Sequence, residues 1–303
     1  VVHGGRALAI PLTALGTTVE ITTRDESAPH ESAPLHLDDG ACEPPVPTRD
    51  RVLAEQMIAR ATELLGASVQ GRVTSRSTIP IGQGLGSSAA FAVALVGALH
   101  RATSQEASVR TLRDHAHALE MLVHGSPSGI DDGVVAEGRP LVYRRSEALQ
   151  PIDPGTPLHL VFASAGRPAP TREAVDRVHA LRARDPARFE DLLANAEDTV
   201  TRGVDAFSDG DARTLGERLN AMHGLLSDLD VSTPQLDALV QRARAAGAFG
   251  AKLTGAGLGG FMLALVAPSK IEGVHDALCA AGATTCFVSH LFPAKNRPEE
   301  PPS

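Results

Sequence analysis

The chain has 303 residues, 43% hydrophobic and 21% charged, with only 3% aromatics, no Trp and a formal net charge of −8. This composition describes a globular fold of one large or two moderate domains with an aliphatic core, and its negative balance argues against a broad nucleic-acid surface. Cys42, Cys279 and Cys286 lack CxxC spacing, which disfavours a disulfide framework or zinc site and suits a reducing cytoplasm. The longest apolar run, 89–99, is too short to span a membrane.

In chain order, 6–12 and 15–23 read as strands rich in aliphatic and β-branched residues. Residues 25–48 are polar and Pro-rich, a surface excursion with at most a short strand near 35–37. Val52, Leu53, Met57, Ile58, Ala61 and Leu65 recur at helical spacing. A strand over 69–76 leads to a glycine loop at 79–86, an apolar helix over 87–100 and a second helix over 108–124. A Gly/Ser/Pro loop and a strand over 140–144 follow. The three prolines and one glycine of 150–157 predict a linker. Beyond it come a strand over 158–163, several helices over 171–246, strands at 251–254 and 260–266 around a second glycine loop, a helix over 269–281 and a strand over 284–290. The tail 294–303 carries prolines and no core residues and is expected to be disordered. Mixed elements without strict βα alternation predict an α+β fold in two lobes.

The most informative segment is Pro80-Ile81-Gly82-Gln83-Gly84-Leu85-Gly86-Ser87-Ser88-Ala89. Alternate glycines permit positive φ and close backbone approach, and a helix starts directly after them, with Ser87 or Ser88 able to cap it. Free N–H groups and partial positive charge at a helix start make a phosphate cradle. The string is neither a Walker A loop nor a GxGxxG fingerprint. A second segment, from Glu120 through His124-Gly125-Ser126-Pro127-Ser128-Gly129-Ile130 to Asp131, supplies two carboxylates. Phosphoryl transfer uses such groups, one to hold a cation and one beside the attacking hydroxyl. His124, four residues after Glu120, shares its helix face; a metal pair is possible, and a packing or capping histidine at the helix end is the preferred reading. A third segment, Lys252-Leu253-Thr254-Gly255-Ala256-Gly257-Leu258-Gly259-Gly260, is another strand-to-glycine-loop; Lys252 is open to a phosphate or a structural role.

These three segments resemble motifs of the GHMP superfamily of small-molecule kinases, and the Glu…HGxPSG…Asp spacing resembles its mevalonate kinase branch. The resemblance implies a two-lobed GHMP kinase fold: an N-terminal lobe like the second domain of ribosomal protein S5 over 1–155, and a ferredoxin-like C-terminal lobe over 156–293. It implies that Gly82, Gly84, Leu85, Gly86, Ser87 and Ser88, with Gly255 and Gly257, bind ATP, and that Ser88 and Glu120 hold Mg²⁺. Asp131 is then the catalytic carboxylate, and Gly129 and Thr171 lie on the substrate side; Thr171 reads equally well as a helix N-cap. Leu258 departs from the glycine that many relatives carry. The implied reaction is ATP-dependent phosphorylation of the 5-hydroxyl of mevalonate, with no nucleic-acid or membrane partner and with a homodimer possible. Another superfamily acceptor (phosphomevalonate or a sugar) and a non-catalytic ATP-binding regulator are the alternatives. The family's first motif, a strand lysine followed by Gly-Glu-His, is not among these residues, so the natural protein is expected to be longer at this end.

Overall fold

The computed structural model describes residues 5–23, 35–38, 41–43, 48–66, 69–144 and 147–296. The elements run β1 (Ala7–Ala9), β2 (Thr17–Thr23), β3 (His36–Leu37), α1 (Thr48–Leu64), β4 (Gly71–Ser77), α2 (Ser87–Ala102), α3 (Val109–His124), α4 (Ile130–Glu137), β5 (Leu141–Tyr143) and β6 (Gln150–Pro151). They continue with β7 (Leu158–Ser164), α5 (Thr171–Arg184), α6 (Pro186–Asp209), α7 (Ala212–Asp228), α8 (Pro234–Ala245), β8 (Gly250–Leu253), β9 (Phe261–Val266), α9 (Ile271–Ala280) and β10 (Cys286–Leu291). Contacts group them into two compact units that do not follow chain order. One contains Val1–Ala14, Gly82–Leu85 and Pro140–Ser303; the other contains Leu15–Ile81 and Gly86–Arg139.

The first unit is built on a four-stranded antiparallel sheet in the order β10-β7-β9-β8, with helices between β7 and β8 and α9 between β9 and β10. This is the ferredoxin-like order expected from the resemblance. The central strand β7 alternates between two cores. Leu158, Leu160 and Phe162 face Phe207, Leu215, Phe261 and Leu265, while Val161 and Ala163 face Leu236, Val240, Val274 and Leu278. A strand buried on both faces must be apolar at nearly every position, which is why 158–163 reads as a continuous hydrophobic run. Each fully buried aliphatic side chain contributes about 1.5–3 kcal/mol. The edge strand β8 is covered by side chains. Ala251 N–H donates to Asn220 Oδ1 (3.0 Å), Leu253 N–H to His223 Nδ1 (3.3 Å), and Arg244 donates to the Ala251 carbonyl (3.1 Å). Backbone groups that would otherwise lie unpaired are thereby satisfied, and the strand leading into the second glycine loop is held firmly.

A second sheet, β1-β5-β6, belongs to the same unit. The segment expected to be a linker contains β6, which pairs with β5 through Leu141 and Pro151. Pro151 lies on an edge strand, where its missing N–H costs no ladder bond.

The other unit carries the sheet β2-β4-β3 and four helices. In α2, Ala89, Ala92, Leu95, Val96 and Leu99 are wholly buried. Small residues on its surface let α3 and α4 approach closely. The helix α4 was not anticipated. It has only eight residues, set between two glycines in left-handed conformation, Gly129 (φ 82°) and Gly138 (φ 60°), and too few periodic positions to stand out. Most of the 25–48 excursion and residues 297–303 of the tail lie outside the described residues; Ala294–Asn296 form a 3-10 turn.

Candidate active site

The first glycine loop takes left-handed backbone at Gly82 (φ 69°), Gly84 (φ 76°) and Gly86 (φ 73°). The cap of α2 is Gly86 itself, and no side chain accepts from the first turn. Neither Ser87 nor Ser88 caps the helix, because both lie inside its first turn. The Ala90 N–H reaches the Gly86 carbonyl (2.9 Å), and the N–H groups before it point out of the helix start, where an anion is favoured. Freed from capping, the Ser88 hydroxyl donates instead to Glu120 Oε2 (3.1 Å).

Glu120 sits on the face of α3 that carries Ala116 and Leu119, and it is 2% exposed. A glutamate near a helix end is ordinarily solvent-facing; here it is buried. Burial pushes its carboxyl up from 4.5 to about 7, helped by the charges of Asp131 and Asp132 and opposed by the Ser88 hydrogen bond. Its Oε1 is buried without a hydrogen-bond partner. Such a carboxylate is electrostatically unfinished and suits a cation. His124 does not simply pack or cap. Its Nε2 lies 3.6 Å from Glu120 Oε2 and 3.4 Å from Ser88 Oγ.

Asp131 and Asp132 occupy the first turn of α4, where a helix dipole favours negative charge. Their roles diverge. Asp132 is 2% exposed and bonded to His117 Nδ1 (3.1 Å). Asp131 remains accessible to solvent, yet desolvation and the charge of Asp132 raise its carboxyl, with His124 partly offsetting them. Gly129 caps this helix at φ 82°, and a Cβ there would lie 3.6 Å from the His117 ring. His117 therefore touches both ends of the 129–132 turn. Sequence reasoning missed His117 and Asp132; the available signal was the position of His117 three residues before Glu120 on the same helix face.

In the ferredoxin-like unit the two glycine loops meet. A Cβ on Gly255 would stand 3.3 Å from the Gly84 carbonyl, and one on Gly260 would stand 3.2 Å from the Gln83 carbonyl. The Ser164 hydroxyl holds the Gln83 side chain (3.1 Å). Gly257 is packed against Val231, whose carbonyl oxygen would lie 2.1 Å from an added Cβ. Leu258 takes φ 56°, a conformation costing about 1–2 kcal/mol for a residue with a Cβ. Its side chain is buried with Ala174, Val178, Phe189 and Val231, which offsets that cost. Lys252 donates to the Leu253 carbonyl (2.5 Å), and burial lowers its ammonium to about 8. Thr171 is the exposed first residue of α5. The cap is Pro170, so Thr171 is not the N-cap.

The GHMP kinases N terminal domain matches residues 53–137, and the GHMP kinases C terminal family matches 204–284. The chain belongs to the GHMP kinase family. Among GHMP kinases it is 38% identical over 236 residues to a mevalonate kinase of Thermococcus gammatolerans, covering 76% of this chain and 69% of that protein. It is 35% identical over 284 residues to the mevalonate kinase of Aeropyrum pernix, covering 90% and 85%. The crystal structure of L. major mevalonate kinase in complex with R-mevalonate superposes with a TM-score of 0.86 at 27% identity, covering 97% of this chain and 91% of that one. No helix among the described residues is long and apolar enough to cross a membrane.

Proposed function

We infer that the chain is an ATP-dependent kinase that phosphorylates the 5-hydroxyl of mevalonate, giving 5-phosphomevalonate for isoprenoid synthesis. The observation that carries this reading is the buried Glu120 carboxylate, whose Oε2 is bonded to Ser88 at the start of α2 and whose Oε1 has no hydrogen-bond partner. A cation site and an anion-binding helix terminus are thus joined by one hydrogen bond. The similarity to mevalonate kinases supplies the acceptor. The backbone from Gly82 to Ser88 binds the triphosphate, and Gly255 and Gly257 hold the second loop against it. Ser88 and Glu120 are the protein donors for Mg²⁺, and the orphaned Oε1 of Glu120 fits that role. When bound, Mg²⁺ neutralises charge on the phosphates.

Asp131 takes the proton from the 5-hydroxyl as the oxygen–phosphorus bond to the γ-phosphoryl group forms and the bond to the β-phosphate bridge breaks. Its raised carboxyl makes it a stronger proton acceptor than an ordinary aspartate. Gly129 shapes the approach to Asp131, and Thr171 contacts the acceptor. The three cysteines, none at CxxC spacing, accord with a cytoplasmic setting.

ADP release, followed by a coupled assay with mevalonate, phosphomevalonate and sugars as acceptors, tests this reading. Mevalonate-dependent turnover is expected, with kcat falling at least about 100-fold in Asp131→Asn and KM for ATP little changed. Turnover with a different acceptor would overturn the substrate. ATP binding without turnover on any acceptor would favour a regulator.

A further inference from the structure

Three donor atoms converge at one point in the second unit. Ser88 Oγ, Glu120 Oε2 and His124 Nε2 form a triangle with sides of 3.1, 3.4 and 3.6 Å. Two of them lie on one rigid helix, four residues apart, and the third is in the first turn of α2. An ion with octahedral bonds of about 2.1 Å separates adjacent donors by about 3 Å, so small movements inward would seat all three atoms on one face of its coordination shell. His124 is 51% exposed in its side chain, whereas Glu120 is 2% exposed. The buried carboxylate therefore anchors the site while the imidazole stands at its open side. The remaining Glu120 oxygen is buried and unpartnered, so the site has unused acceptor capacity.

We propose that His124 is a third protein donor at the metal site of this kinase, and that it biases the site toward divalent transition ions relative to Mg²⁺. This rests on the reading above that Ser88 and Glu120 hold the ion. Two hard oxygen donors alone suit Mg²⁺. An imidazole nitrogen adds affinity for ions further along the divalent series, such as Co²⁺, and adds little for Mg²⁺, which prefers oxygen. The chain thus supplies a mixed oxygen–nitrogen face where oxygen alone would serve phosphate chemistry.

The test uses the full chain with two probe ions. Affinities for Co²⁺ and Mg²⁺ are measured by equilibrium dialysis in wild type, His124→Ala and Glu120→Gln. Electron spin echo spectra of bound Mn²⁺ are recorded for modulation from a directly bonded nitrogen. Wild type should show that modulation, and His124→Ala should lose it. The ratio of Co²⁺ to Mg²⁺ affinity should fall at least tenfold in His124→Ala, with an unchanged thermal midpoint in the metal-free state. If Glu120→Gln abolishes Co²⁺ binding while His124→Ala alters neither the ratio nor the spectrum, the histidine is not a ligand and this inference fails. If Glu120→Gln leaves Co²⁺ binding intact, the assignment of the metal site itself fails.

Discussion

The two glycine loops look alike in sequence and in backbone, yet glycine serves opposite purposes in them. Gly82, Gly84 and Gly86 have positive φ and nothing within 4 Å of where a Cβ would stand. Gly257 has the same class of φ, but a Cβ there would collide with the Val231 carbonyl, and one on Gly259 would lie 2.9 Å from the Arg167 carbonyl. The first loop keeps its space for something that comes from outside; the second gives its space to the protein's own backbone. A glycine-rich string therefore indicates a ligand cradle only when its missing side chains leave room.

The sharpest way to break this contrast is Gly257→Ala. The clash is with backbone, which cannot swing aside as a flexible side chain would, so a stability loss of about 4 kcal/mol or more is expected in urea titration. A loss under about 1 kcal/mol would mean that the second loop is not packed as described.

Glu120 sits in surroundings as closed as those of the second loop, and pH probes them. In the folded state the Glu120 carboxyl titrates at about 7, against an ordinary 4.5. Between these values the unfolded chain releases its proton first, so the stability of the metal-free protein falls as pH rises from about 4.5 to about 7. The contribution is up to about 3 kcal/mol. Urea midpoints at pH 5 and pH 8 should differ less in Glu120→Gln than in wild type, and Mg²⁺ should restore wild-type stability at pH 8. Equal pH slopes in the two proteins would show that Glu120 is not the buried titrating group.

The smallest effect on stability belongs to Gly84→Ala. With open space around it, the cost is the left-handed conformation alone, about 1–2 kcal/mol. The KM for ATP should nevertheless rise at least about tenfold, since a methyl group would intrude where the phosphates approach. A large loss of stability with unchanged KM would reverse the roles assigned to the two loops.

Much was legible in the sequence because the information is local. The alternating glycines followed by an apolar helix, the 3.6-residue period of 52–65, the unbroken hydrophobic run of β7 and the spacing from Glu120 to Asp131 each depend on neighbours a few residues away. They were enough to indicate a two-lobed α+β fold, and the resemblance they carry to the GHMP kinases named Ser88, Glu120 and Asp131 as the groups of interest. The short helix α4 escaped notice because eight residues carry almost no periodicity, and β6 escaped because prolines signalled a linker where they form a sheet edge.

What the sequence by itself determined was the kind of chemistry and the elements that carry it. Only the tertiary structure decided that Glu120 is buried with one carboxylate oxygen unpartnered, that the other is bonded to a serine 32 residues earlier, that His124 joins them, and that His117 grips the turn bearing Asp131. It also decided that Leu258 can replace a glycine by burying its side chain. The reason is physical: burial, proton affinity and steric room at a residue are set by atoms brought to it from distant parts of the chain, and one-dimensional spacing does not contain those distances.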